Sequence, residues 1–329
     1  MSIFLKSFLT VSLLGSSFLP GTANDPGLIA NANCEPANQR NITVRVEHKA
    51  GAPVDNLHAA DLSLLEDKTS REILKLENRT NESVAVAVLI DTSASQELSL
   101  PQTKLAAQDF VELALHTNND RAALISFAGE ATAEETLTNN LADLHSAISR
   151  VRFVPPAGYA GGGIVVSRTP PRSNSQQMLA SSTAIWDAVW TATDELLKGA
   201  SGSRRAVVLF TDGEDTSSKK KLSEAIEHAS RNDVAVFAIG VGNKEFGGPN
   251  HDVLGKLTEE TGGRAFFPKK APEQSEMLRQ IDQELRSDYL LTYCASSADV
   301  QKKPFKLKIQ FTNPQVREAD RLFYKRYAF

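Results

Sequence analysis

The sequence predicts an α/β fold: a doubly wound, mainly parallel sheet flanked by helices, joined to a small β-domain built from both termini. Three observations carry this expectation. Val84 to Ile90 is an unbroken, valine-rich apolar run, the pattern of a strand buried on both faces of a sheet. From there to Leu285, strand-length apolar runs alternate with helical periodicity, which implies parallel strands covered on both sides. On either side of that region the period changes to two, in Asn41 to Glu47 and again in Phe305 to Phe311.

A chain of 329 residues has room for a core of this kind, and 41% hydrophobic with 23% charged residues places it among globular rather than disordered proteins. A formal net charge of −4 carries no electrostatic footprint for nucleic acid. Lys6, the apolar run Phe8 to Leu19, Pro20 and the small residues Gly21-Thr22-Ala23 read as a secretory signal over residues 1–23. The run is too short for a comfortable membrane span, and no other stretch is long enough. The expected location is therefore secreted, periplasmic or at the cell surface. Export also makes a disulfide between Cys34 and Cys294 permissible, with two unpaired thiols as the alternative.

Residues 24–39 form a polar, Asn-rich linker. In 40–82, Ile42, Val44 and Val46 face one way and Thr43, Arg45 and Glu47 the other, as in a half-buried strand. Gly51-Ala52-Pro53 is turn chemistry, and Leu62 to Leu65 and Ile73 to Leu76 flank the polar turn Glu66-Asp67-Lys68. Residues 83–287 hold the alternating region. Its predicted helices are Lys104 to His116, Leu141 to Val151, Ala184 to Leu197, Lys221 to Ser230, Val253 to Thr261 and Pro272 to Leu285, the last with Pro in its first turn. Trp186 and Trp190, four apart, are expected in the core. Predicted strands follow at Ala122 to Phe127, Arg205 to Thr211, Val234 to Ile239 and Arg264 to Phe267, with Glu130 to Thr138 as an antiparallel return. Residues 288–329 revert to β structure and are expected to pack with 40–82. Val154 to Ser182, rich in Gly, Pro and Ser, reads as a long loop with one apolar island at Ile164 to Val166.

The chemistry concentrates at two strand ends. Asp91, Ser93 and Ser95 follow the central strand, and Asp212 follows the run VVLFT. Open α/β sheets bind ligands at that edge. If the two strands are neighbours, the carboxylates converge and repel, a cost that a divalent cation removes. Thr183 opens a helix at the same edge and adds a hydroxyl. An all-oxygen set suits Mg²⁺, Mn²⁺ or Ca²⁺ better than zinc. Taken alone, Asp-x-Ser-x-Ser reads equally well as a loop capping the next helix.

Asp91-x-Ser93-x-Ser95, then Thr183 in STAIWDA, then Asp212 in FTDGED, taken in that order, resemble the von Willebrand factor type A domain and its metal-ion-dependent adhesion site. The flanks GAPVDNLHAADLSLLEDKTSREILKLEN and LRSDYLLTYC are similar to bacterial secreted proteins carrying such a domain. The resemblance implies that Ser93, Ser95 and Thr183 are inner ligands of Mg²⁺ (or Mn²⁺ or Ca²⁺), that Asp91 and Asp212 bind directly or through water, and that a partner carboxylate completes the site. Ala94, Gln96 and Ser181-Ser182 depart from the family's usual Gly, Met and Gly-Gly.

The leading expectation is a non-catalytic protein-binding module that engages an acidic residue of a partner. The alternatives are a structural component of a surface or secretion assembly, and a metal-assisted hydrolase. The six histidines form no HExxH, and no serine sits in a nucleophile elbow. Partner choice is assigned to the 154–182 stretch, with Tyr159, Arg168 and Arg172 as contacts; the alternative is a disordered surface insertion with no role. A Cys34–Cys294 disulfide is expected because both cysteines lie beside strands of the same terminal β-domain.

Overall fold

Strands come first along the chain: β1 (Gln39–His48), β2 (Leu62–Glu66), β3 (Thr69–Arg71) and β4 (Ile73–Asn78). The alternating region runs β5 (Val84–Asp91), α1 (Leu100–Ala114), β6 (Arg121–Phe127), β7 (Ala131–Thr138), α2 (Leu141–Arg150), β8 (Tyr159–Gly161) and β9 (Ile164–Val165). It continues with α3 (Ile185–Thr191), β10 (Arg204–Thr211), α4 (Leu222–Arg231), β11 (Val234–Gly240), α5 (His251–Thr261), β12 (Ala265–Phe266) and α6 (Ala271–Leu285). Four more strands close the chain: β13 (Asp288–Cys294), β14 (Phe305–Phe311), β15 (Asp320–Tyr324) and β16 (Tyr327–Ala328). The structure, a computed structural model, describes residues 34–49, 51–54, 56–155, 159–161, 164–165, 182–242, 248–295, 304–313 and 320–328. The signal segment 1–23 lies outside them.

The central sheet has the order β12-β11-β10-β5-β6-β7, parallel except for β7, which returns antiparallel to β6. Every residue of β5 is buried, as its continuous apolar run requires. Val84, Val86, Val88 and Ile90 pack against α1, α2 and α6 on one face. Ala85, Ala87 and Leu89 pack against α3, α4 and α5 on the other. Each large side chain buried in these layers contributes roughly 1.5–3 kcal/mol. Gly263 lets the turn after α5 lie directly on β11: a Cβ there would stand 1.9 Å from the Val236 carbonyl oxygen. The helix expected over Ala184 to Leu197 instead changes at Ala192 into a π-helical stretch that ends at Leu197. Trp186 is buried as expected. Trp190 is not in the core; it stacks on His228 with ring centroids 3.7 Å apart, and Lys220 covers its ring.

The terminal strands form two antiparallel sheets, β15-β1-β13-β4 and β16-β14-β2-β3. Ile42, Val44, Leu64, Leu291, Tyr293 and Ile309 fill the space between them. β2 and β3 are joined by Asp67 and Lys68 at positive φ, while β4 crosses to the other sheet and pairs with β13. Cys34 and Cys294 are bonded to each other, fastening the start of the chain to the end of β13.

One expectation about β1 is corrected. Arg45 and Glu47 alternate with the apolar residues, yet both are buried, at 3% and 2% exposure. Their face is covered by the α/β layer. Arg45 pairs with Glu284 of α6 at 2.7 Å, Arg264 pairs with Glu47, and Arg264 also reaches Glu284 at 3.2 Å. Both guanidinium groups lie over the Phe323 ring. The strand is polar on that side because it meets an ionic seam, not because it meets water.

Candidate functional site

Parallel pairing of β5 with β10 places Ile90 opposite Phe210, so Asp91 and Asp212 leave adjacent strands at the same edge. This is where the order of the sheet reverses, β6 lying on one side of β5 and β10 on the other. A crevice opens at such a point in doubly wound sheets.

Asp91 is held from two sides. The Ser93 backbone N–H donates to its Oδ1 at 2.9 Å, and the Thr211 hydroxyl donates to Oδ2 at 2.6 Å. Burial nevertheless pushes its carboxyl up to about 7, and the nearby Asp212 charge pushes the same way. Asp212 accepts from the Ser95 hydroxyl, from Gln96 Nε2 at 2.9 Å and from the Glu214 backbone N–H at 3.0 Å. The Ser93 and Ser95 hydroxyls are 3.2 Å apart.

Thr183 is clamped between two loops of this edge. Its carbonyl accepts from the Thr216 and Ser217 backbone N–H groups in the loop after β10, and its own N–H donates to the Thr216 hydroxyl. The next residue, Ala184, donates to the Ala128 carbonyl just past β6. Asp215 then caps α3 by accepting from the Ile185 N–H at 2.8 Å. Thr183 itself is buried, at 6% exposure.

All five predicted ligand residues thus come to one edge. Two carboxylates, one of them pushed up by burial and by its neighbour, stand beside three hydroxyls. That donor set fits a hard divalent cation. Among the described residues no group of three His, Cys, Asp or Glu is placed to hold a metal, so any ion here relies on the hydroxyls. Thr211 and Gln96 escaped sequence reasoning. Gln96 is buried, and besides Asp212 its amide group engages the Val241 carbonyl and the Ser99 hydroxyl. The signal for Thr211 was its place one residue before Asp212, in register with Asp91.

Of the predicted partner contacts, Tyr159 lies on β8, which pairs antiparallel with β9. The expected loop therefore contains a short hairpin, and β9 lies beside the Ala94–Gln96 turn of the site. Arg168 and Arg172 lie outside the described residues.

Family models decide the relationship. Two models described as von Willebrand factor type A domain match residues 86–214 and 173–283. The chain is a von Willebrand factor type A domain protein. Such domains are protein-interaction modules, and the family's metal-ion-dependent adhesion site binds divalent cations. Comparison with curated protein sequences returns no match. Among solved structures, proximal thread matrix protein 1 from the mussel byssus, with a zinc-occupied metal-ion-dependent adhesion site, aligns at 17% identity over 63% of this chain and 48% of its own (TM-score 0.44). This chain spans about half the length of that protein. An aerotolerance-related membrane protein from Bacteroides fragilis aligns at 19% identity over 62% of this chain and 98% of its own (TM-score 0.44). A von Willebrand factor type A protein from Catenulispora acidiphila aligns at 14% identity over 88% and 73% (TM-score 0.46). Among the described residues no helix is long and apolar enough to cross a membrane.

Proposed function

We propose that this protein is a non-catalytic, extracytoplasmic binding module that captures a partner protein through an acidic side chain at a divalent-metal site. The observation that carries the reading is the convergence of Asp91, Ser93, Ser95, Thr183 and Asp212 on one sheet edge. Ser93, Ser95 and Thr183 would hold the ion through their hydroxyls, with Asp91 and Asp212 supplying charge. Mg²⁺ is the favoured ion, with Mn²⁺ or Ca²⁺ as substitutes, because every donor is oxygen. A bound cation supplies an open coordination position for a carboxylate. The protein's own contribution is to hold the oxygens in place: Thr211 and the Ser93 N–H fix Asp91, and Gln96 and Glu214 fix Asp212.

Two features support recognition of an acidic partner. A groove of about 510 Å³ adjoins the site, between the start of α1, the end of β11 and the approach to α6. Lys269 and Lys270 line it, offering positive charge where an acidic segment would lie. Support for a binding role over hydrolysis comes from the histidines. Among the described residues, the His–carboxylate pairs involve His48, His58, His116, His145 and His228, all away from this edge. His251 at the groove stacks on Phe267.

Calorimetry of chelator-stripped protein should show one Mg²⁺ site, lost in Asp91→Ala and in Asp212→Ala. Capture of partner from host extract should then require the ion and fail with either variant. Mg²⁺ binding that is unchanged in both variants would overturn the assignment.

A further inference from the structure

The opposite end of the central sheet gathers buried charge around Arg204. Arg204 opens β10, the strand that Thr211 closes at the metal edge. Its side chain is at 3% residue exposure, and none of its three guanidinium nitrogens has a hydrogen-bond partner among the described residues. Leaving a buried guanidinium without acceptors is costly, far more so than leaving a neutral group. Burial pulls Arg204 down to about 10, which still leaves it charged at neutral pH.

Arg204 lines a cavity of about 30 Å³ between the parallel sheet and the terminal β-strands. Two more side-chain atoms without partners among the described residues belong to residues that line the same space, Arg45 Nε and Ser230 Oγ. Each of these orphaned atoms can donate a hydrogen bond, and the nitrogens can do nothing else. The charges around the cavity are unbalanced in the same direction. Arg45 is neutralised by Glu284, and Arg79 by Glu82. Asp233 lies 3.6 Å from both Lys325 and Arg79. That leaves Arg204 and Arg205 against a single carboxylate, Asp288. No ion pair joins Arg204 to Asp288, although each is felt by the other.

We infer that this cavity is a binding site for a small inorganic anion of the halide class, chloride in practice, held by Arg204 with Arg45 and Ser230 at the seam between the two parts of the protein. Size selects the class. A single water needs roughly 10–15 Å³ measured in the same way, so the space takes about two waters or one monatomic anion and is too small for a solvated oxyanion. The site is built half from β10 and the end of α4 and half from β1, so the anion would hold the terminal sheets onto the α/β layer. A water bridging Arg204 and Asp288 is the competing occupant.

The test is thermal unfolding of the full chain in sodium chloride and in sodium gluconate at equal ionic strength, gluconate being too large to enter. Chloride should raise the midpoint by about 2–4 °C in a concentration-dependent way. Arg204→Met should abolish the difference between salts. Equal midpoints in the two salts, or a chloride effect that survives Arg204→Met, would overturn the proposal. If that variant does not fold, bromide-soaked crystals of the wild-type protein decide instead. An anomalous peak beside Arg204 supports the site, and ordered water alone there refutes it.

Discussion

Thr211 and Asp91 end two neighbouring parallel strands, and the Thr211 hydroxyl donates a 2.6 Å hydrogen bond to the Asp91 carboxylate. Because β5 and β10 run in register, this contact is set by the sheet itself and not by a loop. It orients the one carboxylate that lies deepest in the site. Groups that orient a ligand from behind typically change metal affinity by ~10–100-fold when removed. Thr211→Val keeps the shape and removes only the hydroxyl. It is expected to weaken Mg²⁺ binding about tenfold in calorimetry while the fold, followed by circular dichroism, is kept. Unaltered affinity would show that Thr211 does not position Asp91.

Much of the α/β layer was legible because its signals are local. An all-apolar run such as Val84 to Ile90 can only be a fully buried element, and the spacing of Leu278, Ile281 and Leu285 fits one helix face. That Asp91 and Asp212 come to one sheet edge was legible because each directly follows a buried apolar strand. What escaped was whatever depends on a neighbour distant in sequence. Gln96 reads as a turn residue until Asp212, more than a hundred positions away, is placed against it. Arg45 and Glu47 read as solvent-facing because alternation reveals two faces but not what covers each. Trp190 has the spacing of a core residue, yet its partner is the His228 ring on the outer side of α4.

The ionic seam makes a distinct prediction about how the two parts are held. Removing one member of a buried pair leaves its partner's charge uncompensated, at a cost of roughly 3–5 kcal/mol. Arg45→Met should destabilise the protein by about that amount in urea titration, since Glu284 and Glu47 would then share Arg264 alone. Burial already holds the Glu284 carboxyl above its usual range. Adding Glu284→Gln to Arg45→Met should therefore restore part of the loss. A double variant no more stable than the single one would show that packing, not charge, carries the seam.

The Cys34–Cys294 bond closes a loop with a sequence separation of 260. In the chain-entropy description a loop of that length contributes ~5 kcal/mol, and less where the reduced chain keeps residual structure. The Cys34→Ser/Cys294→Ser protein should unfold at lower denaturant concentration, by about 2–5 kcal/mol, with Mg²⁺ affinity unaffected because the bond lies in the terminal sheets. Peptide mapping of protein purified without reductant should find the two cysteines linked, and two free thiols would contradict the structure.

Asp288 gives the last prediction, a pH dependence with a definite sign. It opens β13 opposite Arg45, at the same seam as Arg204. Burial pushes its carboxyl up to about 6, against the pull of Arg45, Arg204 and Arg79. In the unfolded chain the same group titrates near ~3.9. Between those values the folded protein still holds a proton that the unfolded chain has released. The folded state binds more protons there, so stability falls as pH rises from about 4 to about 6 and this contribution is flat above. The total is at most about 3 kcal/mol, and smaller to the extent that water reaches this half-buried side chain. Asp288→Asn mimics the protonated form at every pH. It should match the wild type near pH 4, exceed it by about 1–3 kcal/mol at pH 8, and lose the slope between. Denaturant titrations of both proteins across this range supply the measurement. Parallel stability profiles would mean that Asp288 titrates alike in the folded and unfolded chains and that the seam tolerates its charge.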